Sequence, residues 1–446
     1  MKFLPLAICL IYSVALSSQS KSTVSYIPEN KDSIFSHLNK LREYQVSNLL
    51  SDKNASKKKK LYREKTKNIF ESIEDSSFIF DRHISEKLNP ILHEIYSSNP
   101  LINPTDFYFL INRSYVPNAA CFGDGSFMLN MGLFFHMESD DELAFIICHE
   151  LAHYELNHVN KKIESYIDTL NSNEIKYKAK AIKKQKYNRT NDGINLIKGL
   201  TFDLMQKSRQ VEIEADSLGL ILFKNTKYNL DAPVSALQKL DAVDDMLFVE
   251  KTNIESIFNF PEYPFNKKWL EKEETLFQIN ETVNDYKFNK DSLKTHPDIP
   301  IRLAQLKVPE NIGPGKNIKT QILQIKEILK TKHLNIYLDF KQFDFALYKL
   351  LLENENSLNE EVIIYTAFLF KMMYEMKKNH SLGKYVPQSS PFPDEKNLNE
   401  VRLFIHNLEL KNIRKIGYFY CMSHEDKMYN NETFNDVYIY FKNLNK

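Results

Sequence analysis

Glycine is scarce in this sequence. The 446 residues include 10 glycines, about a third of the usual ~7%. None of them falls in the G-x-G-x-x-G or G-x-x-x-x-G-K-[ST] spacing of a phosphate-cradling loop, which excludes dinucleotide-binding and P-loop chemistry. Net charge is lacking too: 59 Lys and Arg stand against 58 Asp and Glu. No general field therefore calls for nucleic acid, and no nucleic acid is expected as a partner. Cysteine is rare. Beyond Cys9 there are Cys121, Cys148 and Cys421, an odd set that cannot build a disulfide framework, and Cys148 sits on the apolar side of its helix, where burial is the expectation. Long hydrophobic runs are also missing. The stretch Phe3 to Leu16 is shorter than the ~20 residues of a membrane span, and no later run is long enough. With Lys2 before it and Ala15-Leu16-Ser17 at its end, it has the size and flanks of a signal peptide covering residues 1–17. An exported protein is expected, periplasmic or secreted, with no stable transmembrane segment after cleavage.

What is present is mostly helical. Residues 18–84 read as a polar helical segment whose run Lys57 to Lys60 suits a solvated helix face or loop. Residues 107–112 and 126–130 are short, aromatic or apolar, and separated by Pro117, Gly123 and Gly125, which predicts strands and a small sheet. Ser139-Asp140-Asp141-Glu142 supplies a capping box, and the helix it opens is expected to run to about Asn160. Residues 161–200 are lysine-rich and helical or mobile, and another helix is expected from about Ser208 to Phe223. The aromatics and prolines from Phe258 to Trp269 suit core packing. After Gly313-Pro314-Gly315, Ile318, Ile322, Ile325 and Leu329 form one apolar stripe. Further helices at 342–353 and 359–378 follow, then a linker from Val386 to Pro393. Residues 316–446 thus read as an all-helical C-terminal domain without a fixed repeat.

The chemistry is concentrated in His149-Glu150-Leu151-Ala152-His153. Four residues apart on a helix, the two imidazoles share a face one turn apart and can hold one zinc ion, with Glu150 directed at a water in the open coordination position. A third ligand is needed. The option H-E-x-x-H-x-x-G-x-x-H fails, because Leu156 and Val159 occupy the glycine and last histidine positions. A glutamate from a later helix is the other common solution, and Ser208 to Asp216 (Ser-Arg-Gln-Val-Glu-Ile-Glu-Ala-Asp) offers Glu212 and Asp216 on one face, with Ala215 and Gly219 permitting close approach. Taken alone, that string would read as a solvated acidic helix face.

Together these motifs resemble the gluzincin metallopeptidases of the prenyl-protein-protease type, metallopeptidase family forty-eight, which include bacterial periplasmic quality-control proteases. The family pattern is H-E-x-x-H with a further His five residues on, then S-R-x-x-E-x-E-A-D, then H-P-x-x-x-x-R. Here those positions are His149, Glu150, His153 and His158; Ser208, Arg209, Glu212, Glu214, Ala215 and Asp216; and His296, Pro297 and Arg302. Asn118-Ala119 and Gly132-Leu133 are similar to family features upstream, whereas Ala120 and Cys121 stand where the family carries Phe and Ala. The resemblance covers about residues 85–310. It implies that His149, His153 and Glu212 are the zinc ligands, with one zinc per chain, and that Glu150 is the general base. It further implies that Asp216 holds a ligand imidazole by its other ring nitrogen, that His296 stabilises the oxyanion, and that Arg302 orients nearby acidic groups. His158 suits helix packing or support of the site, and the remaining histidines carry no assigned role.

The expected fold is α+β: a predominantly helical gluzincin metallopeptidase domain with a small β-sheet at 85–312, and the helical domain at 316–446. The expected activity is that of a zinc metalloendopeptidase in protein quality control, acting on extended or unfolded polypeptides, with the helical tail open to a protein partner. The competing class is a client-binding or scaffold protein with a latent zinc site. Glu150 weighs against it, because a scaffold has no physical use for a base beside the metal. A zinc hydrolase of non-peptide amides shares the same metal chemistry.

Overall fold

The computed structural model describes residues 26, 28–49, 54–184, 209–246, 248–271, 299–306, 318–330, 338, 341–388 and 395–446. Residues 1–17, Ser208, His296 and Pro297 lie outside them. The chain falls into two compact units, residues 1–241 with 288–329 and residues 242–287 with 330–446.

In the first unit the two aromatic stretches are strands, as their composition requires. Strands β2 (Tyr108–Asn112) and β4 (Ser126–Asn130) pair in parallel with Leu110 opposite Met128. Two strands that the sequence did not reveal complete the sheet. These are β1 (Phe78–Ile79), antiparallel to β2, and β3 (Ala119–Cys121), antiparallel to β4, in the order β1-β2-β4-β3. Two or three residues are too few to display a period of two. Helices α1 (Lys31–Ser47) and α2 (Ala55–Glu74) pack on this sheet, where Ile34, Leu38, Leu41, Ile69 and Ile73 form one buried cluster with Phe78 and Leu110. The lysine run lies on α2, and it is not solvated throughout: Lys58 is fully buried, 3.5 Å from the Glu164 carboxylate.

Helix α5 (Asp140–Glu155) starts where the Ser139 hydroxyl accepts from the Glu142 amide at 3.2 Å. The Glu142 carboxylate reaches back one residue further than a capping box requires, to the Glu138 amide. Every residue from Asp140 to His153 is buried, so the helix is apolar on all sides apart from its two ends. Its acidic first turn is consumed by neighbours. Asp140 accepts from the Gln321 and Ile322 amides, Asp141 from the Asn229 and Ile318 amides, and Glu142 from Ser235 and Lys239. These bonds tie helix 320–330 into the first unit, with Ile322, Ile325 and Leu329 fully buried. The compact unit therefore continues past the glycine-proline break at 313–315, and its limits do not coincide with the 312/316 division drawn from composition.

Helix α5 ends earlier than its sequence suggests. Asn157 adopts the left-handed conformation, φ 56°, which Asn tolerates better than most residues. The chain turns there, and a separate helix α6 (His158–Asn171) begins. Helix α7 (Asn173–Lys184) continues the helical reading of this lysine-rich region as far as Lys184. Helix α8, residues 209–224, crosses α5 closely: a Cβ on Gly219 would stand 3.0 Å from the His149 Cα.

The second unit is helical. Helices 343–357, 360–378, 396–407, 410–423 and 432–444 pack together, and the segment around Phe258–Trp269 supplies aromatic rings to them. Phe258 lies 5.0 Å from Phe370 and stacks on Phe404, while Tyr263 stacks on Phe419. Phe258, Phe260 and Trp269 of that segment are core, in line with its composition, while most of the residues between them are exposed. The fold is α+β and predominantly helical, and no helix among the described residues is long and apolar enough to cross a membrane.

Candidate metal centre

Three elements converge at one buried point. Helix α5 brings His149, Glu150 and His153, helix α8 brings Glu212 and Asp216, and the short helix α11 (Ile299–Gln305) brings Arg302. All six side chains are buried. One ligand atom from each of His149, His153 and Glu212 falls within 4.8 Å of the others. The His149 and His153 Nε2 atoms are 3.0 Å apart, and each lies 3.5 to 3.6 Å from a Glu212 oxygen. Ligands ~2.0–2.2 Å from a tetrahedral zinc stand roughly 3.3–3.5 Å from one another, so these spacings fit a single ion of that size. The charge fits as well. With both imidazoles in their neutral, deprotonated form, as metal ligation requires, the carboxylates of Glu150, Glu212 and Asp216 against one guanidinium leave two negative charges in a buried site, which a divalent cation offsets.

Asp216 is clamped from two sides. Arg302 donates to both of its oxygens, at 2.6 and 2.7 Å, and the His149 Nδ1 is 2.9 Å away. A carboxylate on Nδ1 fixes the tautomer that leaves the Nε2 lone pair facing Glu212 and His153. Burial alone would raise the Asp216 carboxyl, but its bonds from Arg302 and His149 hold it at about 2. Burial would likewise lower the His149 imidazole, and the Asp216 and Glu212 carboxylates carry it up to about 9 instead. Arg302 also approaches Glu212, at 3.3 Å, so one guanidinium contacts both Glu212 and Asp216 of α8.

Glu214 lies outside this centre, with its side chain 45% exposed, as a 200° rotation from both Glu212 and Asp216 requires. It does not face solvent alone, however. Its carboxylate is 3.3 Å from the His158 Nε2, and the His158 Nδ1 is 3.0 Å from the His153 Nδ1. The turn at Asn157 makes this possible, because on one continuous helix His158 would sit ~140° round from His153. A positive φ at an Asn followed by a second helix start is not visible in periodicity, so the expectation that His158 supports the site could not name this contact. His296 lies outside the described residues.

The sheet presents β3 at its edge, packed over α5. Burial raises the Cys121 thiol on that strand, and the Glu150 carboxylate nearby raises it further, which places Glu150 beside the edge strand. Comparison with known proteins agrees with the motifs. The sequence model of a family described as Peptidase family M48 matches residues 85–310, just over half of the chain. A Vibrio cholerae serotype O1 protein, provisionally named as a beta-barrel assembly-enhancing protease, is 32% identical over 87 residues. That match spans 19% of this chain and 18% of the relative's length.

Proposed function

The chain belongs to peptidase family M48, and from that premise we propose that it is a zinc-dependent metalloendopeptidase with one zinc per chain, held by His149, His153 and Glu212. The observation that carries this reading is the buried cluster of two imidazoles and a carboxylate with Glu150 beside it on the same helix. Bound zinc supplies Lewis acidity, polarising a scissile carbonyl and lowering the pKa of a water toward ~7. Glu150 takes a proton from the attacking water and passes it to the departing amine. Asp216, steadied by Arg302, keeps His149 in the ligating tautomer. His296 is assigned to the developing oxyanion. An extended polypeptide would lie along β3, main chain to main chain, which gives loose sequence specificity.

Export to the periplasm or beyond, and a part in protein quality control, belong to the same proposal. They are supported by the apolar stretch and cleavage pattern of residues 1–17 and by the name of the Vibrio relative. The test is zinc content and cleavage of casein or an unstructured peptide by the wild-type protein beside Glu150→Gln. The variant is expected to keep its zinc and to lose turnover by ~10²-fold or more, since a positioned base contributes ~10²–10⁴-fold. Undiminished cleavage by the variant would remove Glu150 from the mechanism.

A further inference from the structure

His158 is the first residue of α6, 2% exposed, and its contacts are aligned in a row. Its Nδ1 is 3.0 Å from the His153 Nδ1, and its Nε2 is 3.3 Å from a Glu214 oxygen. The other Glu214 oxygen accepts from the Gln210 amide group at 3.2 Å, so the carboxylate is itself held. We propose that Glu214 and His158 form a relay that positions His153 and fixes its tautomer for zinc. This rests on the zinc-ligand reading above.

The argument is one of protons. Two ring nitrogens at 3.0 Å need one proton between them, and a neutral imidazole carries a single N–H. If the His153 Nε2 is to offer its lone pair to a metal, the proton must sit on Nδ1, which donates it to His158. The His158 Nδ1 then accepts, so its own proton sits on Nε2, and only an acceptor there stabilises that state. Glu214 is that acceptor. Reversing the row would put a proton on the His153 Nε2 and close it to the metal. Each ligand imidazole thus ends on a carboxylate, His149 directly on Asp216 and His153 through His158. Removing such a partner of a metal ligand typically costs ~10–100-fold in metal affinity.

Zinc affinity of the full chain, by competition with a chromophoric chelator, separates this from simple ring packing. His158→Phe keeps an aromatic ring in the pocket and deletes the acceptor. His158→Asn gives up ring volume but retains an oxygen near the place of Nδ1. The relay predicts that His158→Phe raises the zinc dissociation constant ~10–100-fold and that His158→Asn raises it by less than about fivefold. Packing predicts the reverse order. The visible spectrum of the cobalt-substituted protein is expected to shift in the Phe variant and to stay close to wild type in the Asn variant. Glu214, being half-exposed, provides a variant that leaves the core alone. Glu214→Ala, one step further from the metal, should weaken zinc by about three- to tenfold, at or below the lower limit of that range, and Glu214→Gln, which keeps an acceptor, by less. Wild-type affinity in His158→Phe or in Glu214→Ala, or an Asn variant weaker than the Phe variant, would overturn the relay. A wild-type protein that binds no zinc would instead overturn the ligand set of the preceding section, and the relay with it.

Discussion

Two glutamates separated by one residue on α8 have different work at the site. Glu212 is 5% exposed and lies within 3.6 Å of the His149 and His153 imidazoles, whereas Glu214 meets His158 and Gln210. Glu212→Ala is therefore expected to abolish stoichiometric zinc binding and cleavage, a loss beyond the ~10–100-fold expected for residues that act through a ligand. Glu214→Ala is expected to retain zinc at saturation and partial activity. Metal content by mass spectrometry with a paired hydrolysis assay decides the matter, and zinc lost from the Glu214 variant alone would reverse the assignment. At this scale much was legible. A four-residue spacing on a helix states which side chains share a face, so His149 with His153, and Glu212 with Asp216, could be paired from the sequence. The partners of those pairs were harder to read. Arg302 sits 86 residues from Asp216, and only the resemblance singled it out. The His158 contact depends on one left-handed residue that leaves no periodic trace.

Helices α5 and α8 owe their register to Gly219. A Cβ there would lie 3.0 Å from the His149 Cα and 3.1 Å from its nitrogen, backbone atoms that cannot turn aside as a flexible side chain would. Gly219→Ala would gain about 1 kcal/mol in helix propensity and lose about 1–3 kcal/mol to overpacking, so its effect on stability is expected to be small. Gly219→Val adds two further carbons at the same point and recovers little propensity. It is expected to destabilise by about 2–3 kcal/mol and to weaken zinc, because α8 carries Glu212 and Asp216 away from α5 as it moves. Ile221→Ala, at a position 57% exposed on the same helix, serves as the control and should stay within about 1 kcal/mol. Urea unfolding and zinc competition measure both effects. A Val variant matching the control would show that the close crossing is not what sets the ligand spacing. The existence of both helices was legible from caps and spacing, as was the need for small residues between them. The end of α5 was not, since a helix buried on all sides offers no change of face by which to locate its last turn.

The arrangement of the chain in two units alters what a truncation should do. Composition placed a boundary at Gly313-Pro314-Gly315, yet among the described residues, 318–329 belong to the first unit and 248–271 to the second. Contacts distant in sequence decide this, and local composition does not record them: Asp140 bonds the Ile322 amide across 182 positions. A chain ending at residue 315 would lose the burial of Ile322, Ile325 and Leu329, about 1.5–3 kcal/mol each. It would also strip partners from the buried Asp140 and Asp141, at about 1–3 kcal/mol for each group left unsatisfied. Those losses approach or exceed the 5–15 kcal/mol of net stability typical of a domain. A chain ending at residue 329 keeps these groups and leaves Phe258 without Phe370 and Phe404. The shorter chain is therefore expected to lose zinc binding and cooperative unfolding. The longer chain should bind zinc within about tenfold of wild type, a difference near 1.4 kcal/mol, while binding a hydrophobic dye through its uncovered aromatics. Zinc competition, urea unfolding and dye fluorescence on the two truncations make the comparison. If the chain ending at 315 unfolds cooperatively and holds zinc as the full chain does, the bonds from α5 to residues 318–322 are dispensable, and the composition boundary is the one that matters for the site.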